Sequence, residues 1–409
     1  MKVLKFGGSS VADAQRIRQV ANIILNQQAQ WPLVVVVSAF GGTTDQLDQA
    51  GARAAAGNTT YKDVLAQIEA RSLGIVRDLI PVQAQSGVLA QVKLLLNELE
   101  DVLKGVYLVR ERSPKTRDLV LSFGERISSL VIGECVRQGE IAGAYADSRE
   151  LIRTNRDFGA ALVDFEETNK RIQARFGDLK GVVIVPGFIA STVEGETSTL
   201  GRGGSDYSAA IYAAALKAEI LEIWTDVNGV LTADPRRVPN AKTISEATFD
   251  EAMELSHFGA KVIYPPTIQP VRDLGIPIAI LNTFDPEGPR TVIRAENTGS
   301  DLPVKGMTSM GGIALMSLSG AGLVGVPGSS SRLFGALAAK EINVILITQA
   351  SSEHSITFAV PEADAAAARE VVDAAFVWEI STGKVNPLRE ESGLSIVAHA
   401  VFHIVSHQG

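Results

Sequence analysis

Apolar and polar residues follow two different rhythms through the first 300 residues of the chain. Short continuous apolar runs predict buried strands, and apolar residues that recur every three or four positions predict helices packed against them. The predicted elements are strands at residues 3–6, 33–39, 182–185, 220–224 and 276–281, and helices at 13–27, 61–104 and 117–137. Because the strand runs are continuous rather than alternating, helices are expected on both faces of the sheet. The pattern predicts an α/β fold with a mostly parallel sheet between helices.

The pattern changes at residues 295–301, a polar loop with Gly and Asn, where we place a domain boundary. After the loop, a strand, a helix, two strands and a helix are predicted at residues 313–318, 332–340, 344–349, 355–360 and 363–376. This order is the opening of a ferredoxin-like βαββαβ unit. We therefore expect domains at residues 1–298 and 299–390, followed by a shorter segment at 391–409.

Composition places the chain among ordinary globular proteins. Its 409 residues are 46% hydrophobic and 21% charged, which excludes the disordered, collagen-like and disulfide-scaffold classes. A net charge of −8 without a basic block gives no reason to expect a nucleic-acid partner. The longest apolar run, at residues 33–37, is far shorter than the roughly 20 residues that span a bilayer. With a single cysteine, Cys135, and no apolar leader at the N-terminus, we expect a cytoplasmic protein without a membrane partner.

The segment KFGGSS at residues 5–10 joins a predicted strand to a predicted helix. Two glycines let a backbone approach an anion closely, and the N–H groups at the start of a helix point toward it. Lys5 adds a positive charge, and Ser9 and Ser10 add hydroxyl donors. The lysine precedes the glycines, so the segment is not a Walker A motif. It predicts an anion-binding turn, with a plain tight turn as the alternative.

The segment LGRGGSDYS at residues 200–208 leads into a predicted helix at 207–217, with Ser205 or Asp206 expected as its N-cap. Arg202 is framed by glycines, so no neighbouring side chain buries its stem or shields its guanidinium. A guanidinium is suited to bidentate recognition of a carboxylate or a phosphate. The segment predicts a second anion site, with a flexible capping loop as the alternative.

Polar residues also follow two of the predicted strands. Thr225 and Asp226 come after the strand at 220–224, and Ser38 with GGTT at 41–44 occupies another strand end. Ligands in open α/β sheets collect outside the carboxyl ends of the strands. These residues are therefore placed to meet a nucleotide or its partner, although ordinary turns use the same residue types.

Glu125 lies on a predicted helix after an apolar stretch, where it either faces a ligand or forms a solvated pair with Arg126. Two anion loops and two polar strand ends together imply a nucleotide that faces a small charged ligand. No histidine lies near these segments, which suits phosphoryl transfer to a carboxylate, a group already ionised at pH 7. Such catalysis consists mainly of positioning and of neutralising phosphate charge.

Four segments in this order closely resemble the aspartokinases, namely KFGGSSV at 5–11, LGRGGSDY at 200–207, WTDV at 224–227 and FGAKV at 258–262. That family combines an amino-acid-kinase fold with C-terminal ACT regulatory domains. The segment ITQASSE at 347–353 is most similar to the aspartokinase half of the bifunctional aspartokinase–homoserine dehydrogenases. The resemblance implies ATP-dependent phosphorylation of the side-chain carboxylate of aspartate, which opens the route to lysine, threonine and methionine.

The resemblance also implies a role for each matching residue. Lys5 is expected to hold the transferring phosphate and Asp206 to orient Lys5, and together they form the catalytic pair. The residues implied for ATP are Lys5, Gly7, Gly8, Ser9, Ser10, Thr225, Asp226, Leu231, Arg236, Lys261 and Val262. The residues implied for aspartate are Ser38, Thr44, Glu125, Phe188, Arg202, Gly203, Gly204 and Ser205.

Within the aspartate set, Arg202 is expected to bind the α-carboxylate and Glu125 the ammonium group. Mg²⁺ is expected to arrive with ATP, held mainly by phosphates and water, so no protein residue is assigned to a metal. Gln349 and Ser352 are the residues implied for a possible amino-acid effector.

This sequence departs from the family in three places. Leu231 stands where the family usually has Tyr, and Tyr264 replaces the usual His, both expected near the ATP side. The family normally pairs two ACT modules, and SIVA at 395–398 resembles the opening strand of the second. The second module is therefore expected to be incomplete, with residues 391–409 as its remnant or as a non-native tail. An exposed edge of such a sheet also suggests a homodimer or higher oligomer.

Two further interpretations stay open. A kinase of another acidic amino acid would keep the fold and change the acceptor, although Glu125 and the ACT-like region argue against it. A weakly active or non-catalytic amino-acid sensor has only Leu231 and Tyr264 in its favour.

Overall fold

The structure, a computed structural model, describes residues 1–138, 143–257, 263–264, 268–296, 304–349 and 354–401. In the first 300 positions the strands are β1 (Lys2–Phe6), β2 (Leu33–Val37), β3 (Gly143–Tyr145), β4 (Arg153–Thr154), β5 (Val182–Pro186), β6 (Ile189–Thr192), β7 (Thr197–Thr199), β8 (Leu221–Thr225), β9 (Glu246–Thr248), β10 (Ile278–Asn282) and β11 (Thr291–Arg294). The helices are α1 (Ala14–Gln28), α2 (Thr43–Ala55), α3 (Tyr61–Leu79), α4 (Val82–Val109), α5 (Pro114–Gln138), α6 (Ser148–Leu151), α7 (Phe165–Phe176), α8 (Gly204–Ala215), α9 (Phe249–His257) and α10 (Gln269–Arg272).

Within the described residues, one eight-stranded sheet has the order β3-β5-β2-β1-β8-β10-β11-β9. Its six strands from β3 to β10 are parallel, and β11 pairs antiparallel with β10. The predicted mostly parallel sheet is confirmed. Since the carboxyl ends of parallel strands share one edge, the loops after β1, β2, β5 and β8 all open at that edge.

Alternate residues of the central strands enter two different cores. Leu4 and Phe6 pack with helices α1 to α5 on one face of the sheet, and Val3 packs with α7 and α8 on the other. All three side chains are fully buried. The continuous apolar runs in the sequence therefore reflect a sheet covered on both faces, as predicted.

The predicted single helix at residues 61–104 is wrong, because the structure contains two helices, α3 and α4, that meet at Pro81. Proline has no N–H for the helix ladder, and it disfavours the helical conformation of the residue before it. Ile80 is accordingly extended, with φ −96° and ψ 134°. The regular spacing of apolar residues continues across the break and hides it in the sequence.

Residues 307–399 form a second compact unit, separate from residues 1–306. Its elements are β12 (Val304–Ser319), α11 (Ser329–Ala338), β13 (Leu346–Gln349), β14 (Ser355–Pro361), α12 (Ala365–Ala375), α13 (Val377–Ser381) and β15 (Arg389–Val401). The sheet order is β13-β14-β12-β15, the order of strands 2-3-1-4 in a βαββαβ unit. The predicted ferredoxin-like module is confirmed.

Strand β15 holds the position of the fourth strand in this sheet, next to β12. The segment SIVA at 395–398, which resembles the opening of a second module, therefore continues the sheet of the first. The structure separates its units at 306 and 307, whereas the limits of 298 and 390 stay a prediction. No helix among the described residues is both long and apolar enough to cross a membrane.

The core of the smaller unit centres on Phe358, which is fully buried on β14. We expect Phe358→Ala to lower the free energy of unfolding of this unit by about 3–5 kcal/mol, because a large buried ring leaves a cavity. Ile347 pairs with Phe358 across the sheet but is 53% exposed. Ile347→Ala is the matched control, with an expected loss below about 1 kcal/mol.

Denaturant unfolding of the full chain, read by hydrogen exchange of peptides within residues 307–399, measures both changes. Equal losses for the two variants would contradict the assignment of Phe358 as the centre of this core.

Candidate active site

The loops after β1, β2 and β5 enclose a cleft of about 350 Å³ together with the start of α8 and the middle of α5. The residues that line it are Lys5, Gly8, Ser38, Ala39, Phe40, Gly41, Gly42, Thr44, Glu125, Phe188, Gly201, Arg202, Gly203, Gly204, Ser205 and Asp206. Every residue that the sequence analysis assigned to aspartate lies in this set. Positions far apart along the chain are thus brought together in one concave site.

An ion pair between Lys5 and Asp206 lies at the floor of the cleft, with 2.5 Å between Nζ and Oδ1. The two side chains are only 11% and 17% exposed. Lys5 is carried by the central strand β1, and Asp206 by the first turn of α8. Two charges of opposite sign are therefore held at one point, where a transferring phosphoryl group would need a cation whose position is fixed.

The glycine turn after β1 is held by backbone hydrogen bonds, from the Ser10 N–H to the Gly7 carbonyl at 2.9 Å and from the Gly7 N–H to the Trp224 carbonyl at 3.3 Å. The hydroxyl of Ser10 is fully buried and lies 2.7 Å from the hydroxyl of Thr283. This hydroxyl therefore holds the turn against Thr283 and does not line the cleft. The Ser9 carbonyl accepts a hydrogen bond from Arg16 at 2.7 Å.

Glu125 is 3% exposed and faces the cleft from helix α5. Its Oε1 accepts a hydrogen bond from the Ala39 N–H at 3.2 Å, whereas its Oε2 has no partner among the described residues. Burial raises the pKa of Glu125 to about 8, and the Ala39 hydrogen bond opposes that rise. An oxygen that is buried and unpartnered beside a cleft is suited to receive a ligand cation.

The alternative of a solvated Glu125–Arg126 pair is wrong. Arg126 points to Glu98, with 2.7 Å between the nitrogen and the oxygen, and lies over the ring of Phe123. Adjacent residues on a helix point in different directions, so Glu125 lines the cleft whereas Arg126 contacts Glu98.

The arginine loop, residues 200–204, is anchored by the buried carboxylate of Asp118 on α5. Asp118 Oδ2 accepts hydrogen bonds from the Thr199 and Gly159 N–H groups at 2.9 Å, and Oδ1 accepts one from the Thr199 hydroxyl at 2.8 Å. Burial raises the pKa of Asp118, and these hydrogen bonds oppose that rise. Arg202 itself is exposed and lines the cleft.

The expectation that Ser205 or Asp206 caps α8 is wrong, because the cap is Gly203, with φ 70°. A left-handed residue at this point turns the chain so that Asp206 falls in the first helical turn and reaches Lys5. A β-carbon on Gly203 would also lie 2.5 Å from the ring of Tyr264. Tyr264 therefore lies against the arginine loop, and its expected place near the ATP side stays a prediction.

Phe188 has a φ of 65°, a conformation that is rare for a bulky residue. Its N–H donates to the Ser208 hydroxyl at 2.9 Å, and its ring packs so closely on Gly204 that a β-carbon there would lie 2.7 Å away. Backbone strain of this kind persists where the surroundings hold it in place, and it concentrates at functional sites. Phe188 thus forms a fixed wall of the cleft beside α8.

The remaining residues implied for ATP that the structure describes are not among those that line the cleft. Thr225 ends β8, and its hydroxyl donates to Asp226 at 3.3 Å. Leu231 is partly buried in a short bridge with Thr243, and Arg236 is 88% exposed and pairs with Asp234 at 2.9 Å. Lys261 and Val262 lie outside the described residues, as does Ser352 in the smaller unit.

Gln349 is exposed at the end of strand β13, within the unit of residues 307–399. Sequence reasoning missed three residues that support the cleft: Asp118, Thr283 and Ser128, whose hydroxyl donates to the Ser38 carbonyl at 2.8 Å. Their partners are largely backbone groups and hydroxyls distant in the chain, so no local motif marks them. The sequence offers one signal for two of them: Asp118 and Ser128 are polar residues within a predicted helix that is otherwise rich in apolar residues.

The raised pKa of Glu125 predicts how stability depends on pH. The folded chain holds this proton up to about pH 8, whereas an unfolded glutamate releases it near its usual value of 4.5. Stability therefore falls as pH rises through that window, by up to about 1.4 kcal/mol per pH unit from this residue. We expect Glu125→Gln to remove this part of the slope in urea unfolding of the full chain between pH 5 and 8.

Glu134→Gln is the matched control for that measurement, because Glu134 lies on the same helix and pairs with Arg137 near the surface. Parallel profiles for wild type and Glu125→Gln would contradict the assignment of a raised pKa to Glu125.

Two protein families match this chain. The amino acid kinase family matches residues 1–282, and the ACT domain matches residues 316–376. The chloroplastic bifunctional aspartokinase/homoserine dehydrogenase 2 of Arabidopsis thaliana is 36% identical over 403 residues, covering 97% of this chain and 44% of that protein. Its counterpart in Haemophilus influenzae is 36% identical over 414 residues, covering 97% of this chain and 49% of that protein. The chain thus spans about half the length of these curated relatives.

A solved structure covers the whole chain. E. coli aspartokinase III, in complex with aspartate and ADP in its R-state, superposes with a TM-score of 0.82 and 30% identity over 100% of this chain and 89% of that one. With the family match over residues 1–282, this likeness covers both the kinase fold and the smaller unit. The chain therefore belongs to the amino acid kinase family and, within it, to the aspartokinases.

Proposed function

We propose that this chain transfers the γ-phosphoryl group of ATP to the side-chain carboxylate of L-aspartate, giving ADP and 4-phospho-L-aspartate. The observation that carries this proposal is the set of ionisable groups in one cleft: Lys5 paired with Asp206, the Arg202 guanidinium, and the buried carboxyl of Glu125, which a ligand ammonium would ionise. An amino acid with a second carboxylate presents the complementary set of charges. The relative with aspartate and ADP bound supports the same pair of ligands.

In the proposed reaction, an oxygen of the aspartate side chain attacks the γ-phosphorus, and the bond to the β-phosphate oxygen breaks as ADP leaves. The attacking carboxylate is already ionised at neutral pH, so the step needs no general base. Lys5 neutralises charge on the transferring group, and Asp206 holds the Lys5 ammonium in place. The N–H groups of Gly8 and Ser9 face the phosphates, since those of Gly7 and Ser10 already donate to backbone carbonyls.

We assign the recognition of aspartate to the two charged groups at the sides of the cleft. The guanidinium of Arg202 binds the α-carboxylate, and the free Oε2 of Glu125 receives the ammonium group. Ser38, Thr44, Gly203, Gly204 and Ser205 complete the pocket, with Phe188 as its wall. An ammonium at Glu125 would also stabilise the ionised carboxylate, so binding and ionisation of Glu125 are coupled.

We assign the nucleotide to the same edge of the sheet, next to the cleft at the end of β8. Thr225 and Asp226 at the end of β8, with Leu231 and Arg236 beyond them, are proposed to line it, together with Lys261 and Val262. Mg²⁺ is proposed to enter with ATP, held mainly by phosphate oxygens and water, which is the usual coordination of this ion at nucleotides. No protein ligand is assigned to it.

A hydroxamate assay tests the proposal, since an acyl phosphate formed in the presence of hydroxylamine gives a coloured hydroxamate. Wild-type chain is expected to form product with ATP and aspartate, at least about tenfold more efficiently than with glutamate or N-acetylglutamate. Lys5→Met is expected to lower kcat by about 100-fold or more, because the fixed cation is lost.

Lys93→Met is the matched control for Lys5→Met. Lys93 also forms a 2.5 Å ion pair with a carboxylate, that of Glu69, but on the surface of α4 and away from the cleft. Absence of hydroxamate from wild type with ATP and aspartate would exclude the proposed function. Wild-type turnover in Lys5→Met would exclude the proposed role of Lys5.

We also propose that the ACT unit takes an amino-acid effector at a site that includes Gln349 and Ser352, in a cytoplasmic homodimer or higher oligomer. One solved relative, E. coli aspartokinase III in its T-state, contains lysine and aspartate. If the proposal holds, lysine or threonine raises the Tm of the full chain, and Gln349→Ala weakens that effect while leaving stabilisation by ADP unchanged. Equal responses in the two proteins would exclude Gln349 from the site.

A further inference from the structure

One side chain close to the cleft, that of Arg71, is used by no part of the proposed mechanism. Arg71 lies on helix α3, partly buried, and its guanidinium donates two hydrogen bonds to two different loops. One runs from NH1 to the Gly41 carbonyl at 2.6 Å, and the other from NH2 to the Ala12 carbonyl at 2.7 Å. Gly41 lies in the loop between β2 and α2, and Ala12 in the loop between β1 and α1.

These two loops lie in direct contact at the cleft. A β-carbon on Gly41 would lie 3.0 Å from the Gly8 carbonyl and 3.2 Å from the Ala12 β-carbon, and one on Gly8 would lie 3.1 Å from the Ala39 carbonyl. A side chain at either glycine would therefore push the neighbouring loop away by a few tenths of an ångström. Close contact alone does not fix the separation of two loops, whereas hydrogen bonds from one group to both loops do.

The Arg71 guanidinium supplies such hydrogen bonds, and it is not among the residues that line the cleft. It is planar and presents donors in a fixed fork, so it can join two carbonyls in one geometry. Both acceptors belong to the loops immediately before helices α1 and α2, outside the regular hydrogen bonding of either helix. The charge on the donor makes these hydrogen bonds stronger than those between neutral groups.

We propose that Arg71 is a positioning residue, a clamp that fixes the distance between the phosphate loop at residues 7–12 and the aspartate loop at residues 38–44. This rests on the proposed function, in which the first loop holds the transferring phosphoryl group and the second holds its acceptor. Arg71 touches neither ligand. It sets how far apart they are held, and transfer between two bound groups is sensitive to errors of about 1 Å in such a distance.

The clamp predicts an unusual pattern for Arg71→Met. The substitution leaves the residues of both loops unchanged, so ADP alone and aspartate alone are expected to bind with dissociation constants within about threefold of wild type. The kcat is expected to fall by about 10- to 100-fold, because the two bound groups are no longer held at a fixed distance. Arg71→Lys keeps the charge and loses the fork, so its kcat lies between those of wild type and Arg71→Met. Arg77→Met, on the same helix but exposed, is the matched control.

The experiment combines hydrogen exchange of the ligand-free full chain with calorimetric binding and the hydroxamate assay. Exchange in peptides covering residues 7–12 and 38–44 is expected to accelerate several-fold in Arg71→Met, less in Arg71→Lys, and not in Arg77→Met. Unchanged exchange in both peptides would overturn the proposal. Acceleration throughout residues 1–306 with a lowered Tm would overturn it in favour of a general structural role.

The measurements distinguish an error in the proposal for Arg71 from an error in the proposed function. If wild type forms no hydroxamate, the proposed function fails, and the exchange pattern still decides whether Arg71 holds the two loops together. If wild type is active and Arg71→Met keeps its kcat despite faster exchange, the proposed effect of the clamp on transfer is wrong. Should Arg71→Met fail to fold, Arg71→Lys carries the same comparison.

Discussion

The ion pair between Lys5 and Asp206 is the contact on which the geometry of the cleft depends. It joins the central strand of the large sheet to the first turn of α8, and its members are almost excluded from water. Separating a pair at such a site leaves an uncompensated charge, which is far more costly than at the surface. The strand is held by neighbours on both sides, so α8 and the arginine loop before it are drawn to a fixed place.

Around this pair, the cleft is built mostly from backbone held by buried polar side chains. Asp118 fixes the approach to the arginine loop, and Ser128 fixes the carbonyl of Ser38. These groups are desolvated and satisfied, and they leave the glycine-rich loops little freedom. Glu125 differs from them, since one of its oxygens has no partner among the described residues and burial raises its pKa to about 8.

The sequence predicted the parallel sheet and the two glycine loops of the cleft because both depend on local signals, whereas Phe188 was implied only by the family resemblance. Continuous apolar runs mark β1 and β2, and glycines beside Lys5 and Arg202 mark the loops. It missed the break at Pro81, because the apolar spacing continues across it, and the cap at Gly203, because Ser205 and Asp206 are common caps themselves.

Supporting contacts could not be predicted at all. The hydrogen-bond partners of Asp118, Ser128 and Arg71 are backbone groups or a distant hydroxyl, and a backbone group looks the same at every position of a sequence. The place of SIVA at 395–398 in the sheet could not be predicted for a similar reason. Its apolar residues indicate a strand, but the partner strand β12 follows from topology alone.

Helix α5 carries three of the groups described above, Asp118, Glu125 and Ser128, and it is buried along most of this span. Asp118 meets the backbone of residues 159 and 199, whereas Glu125 and Ser128 both meet the loop after β2, and each is aimed by its angle around the helix axis. One inserted or deleted residue would rotate everything beyond it by about 100° relative to everything before it. Between residues 118 and 128 the chain therefore cannot change length without turning a carboxylate or hydroxyl into the apolar core, and insertions are tolerable only outside that interval.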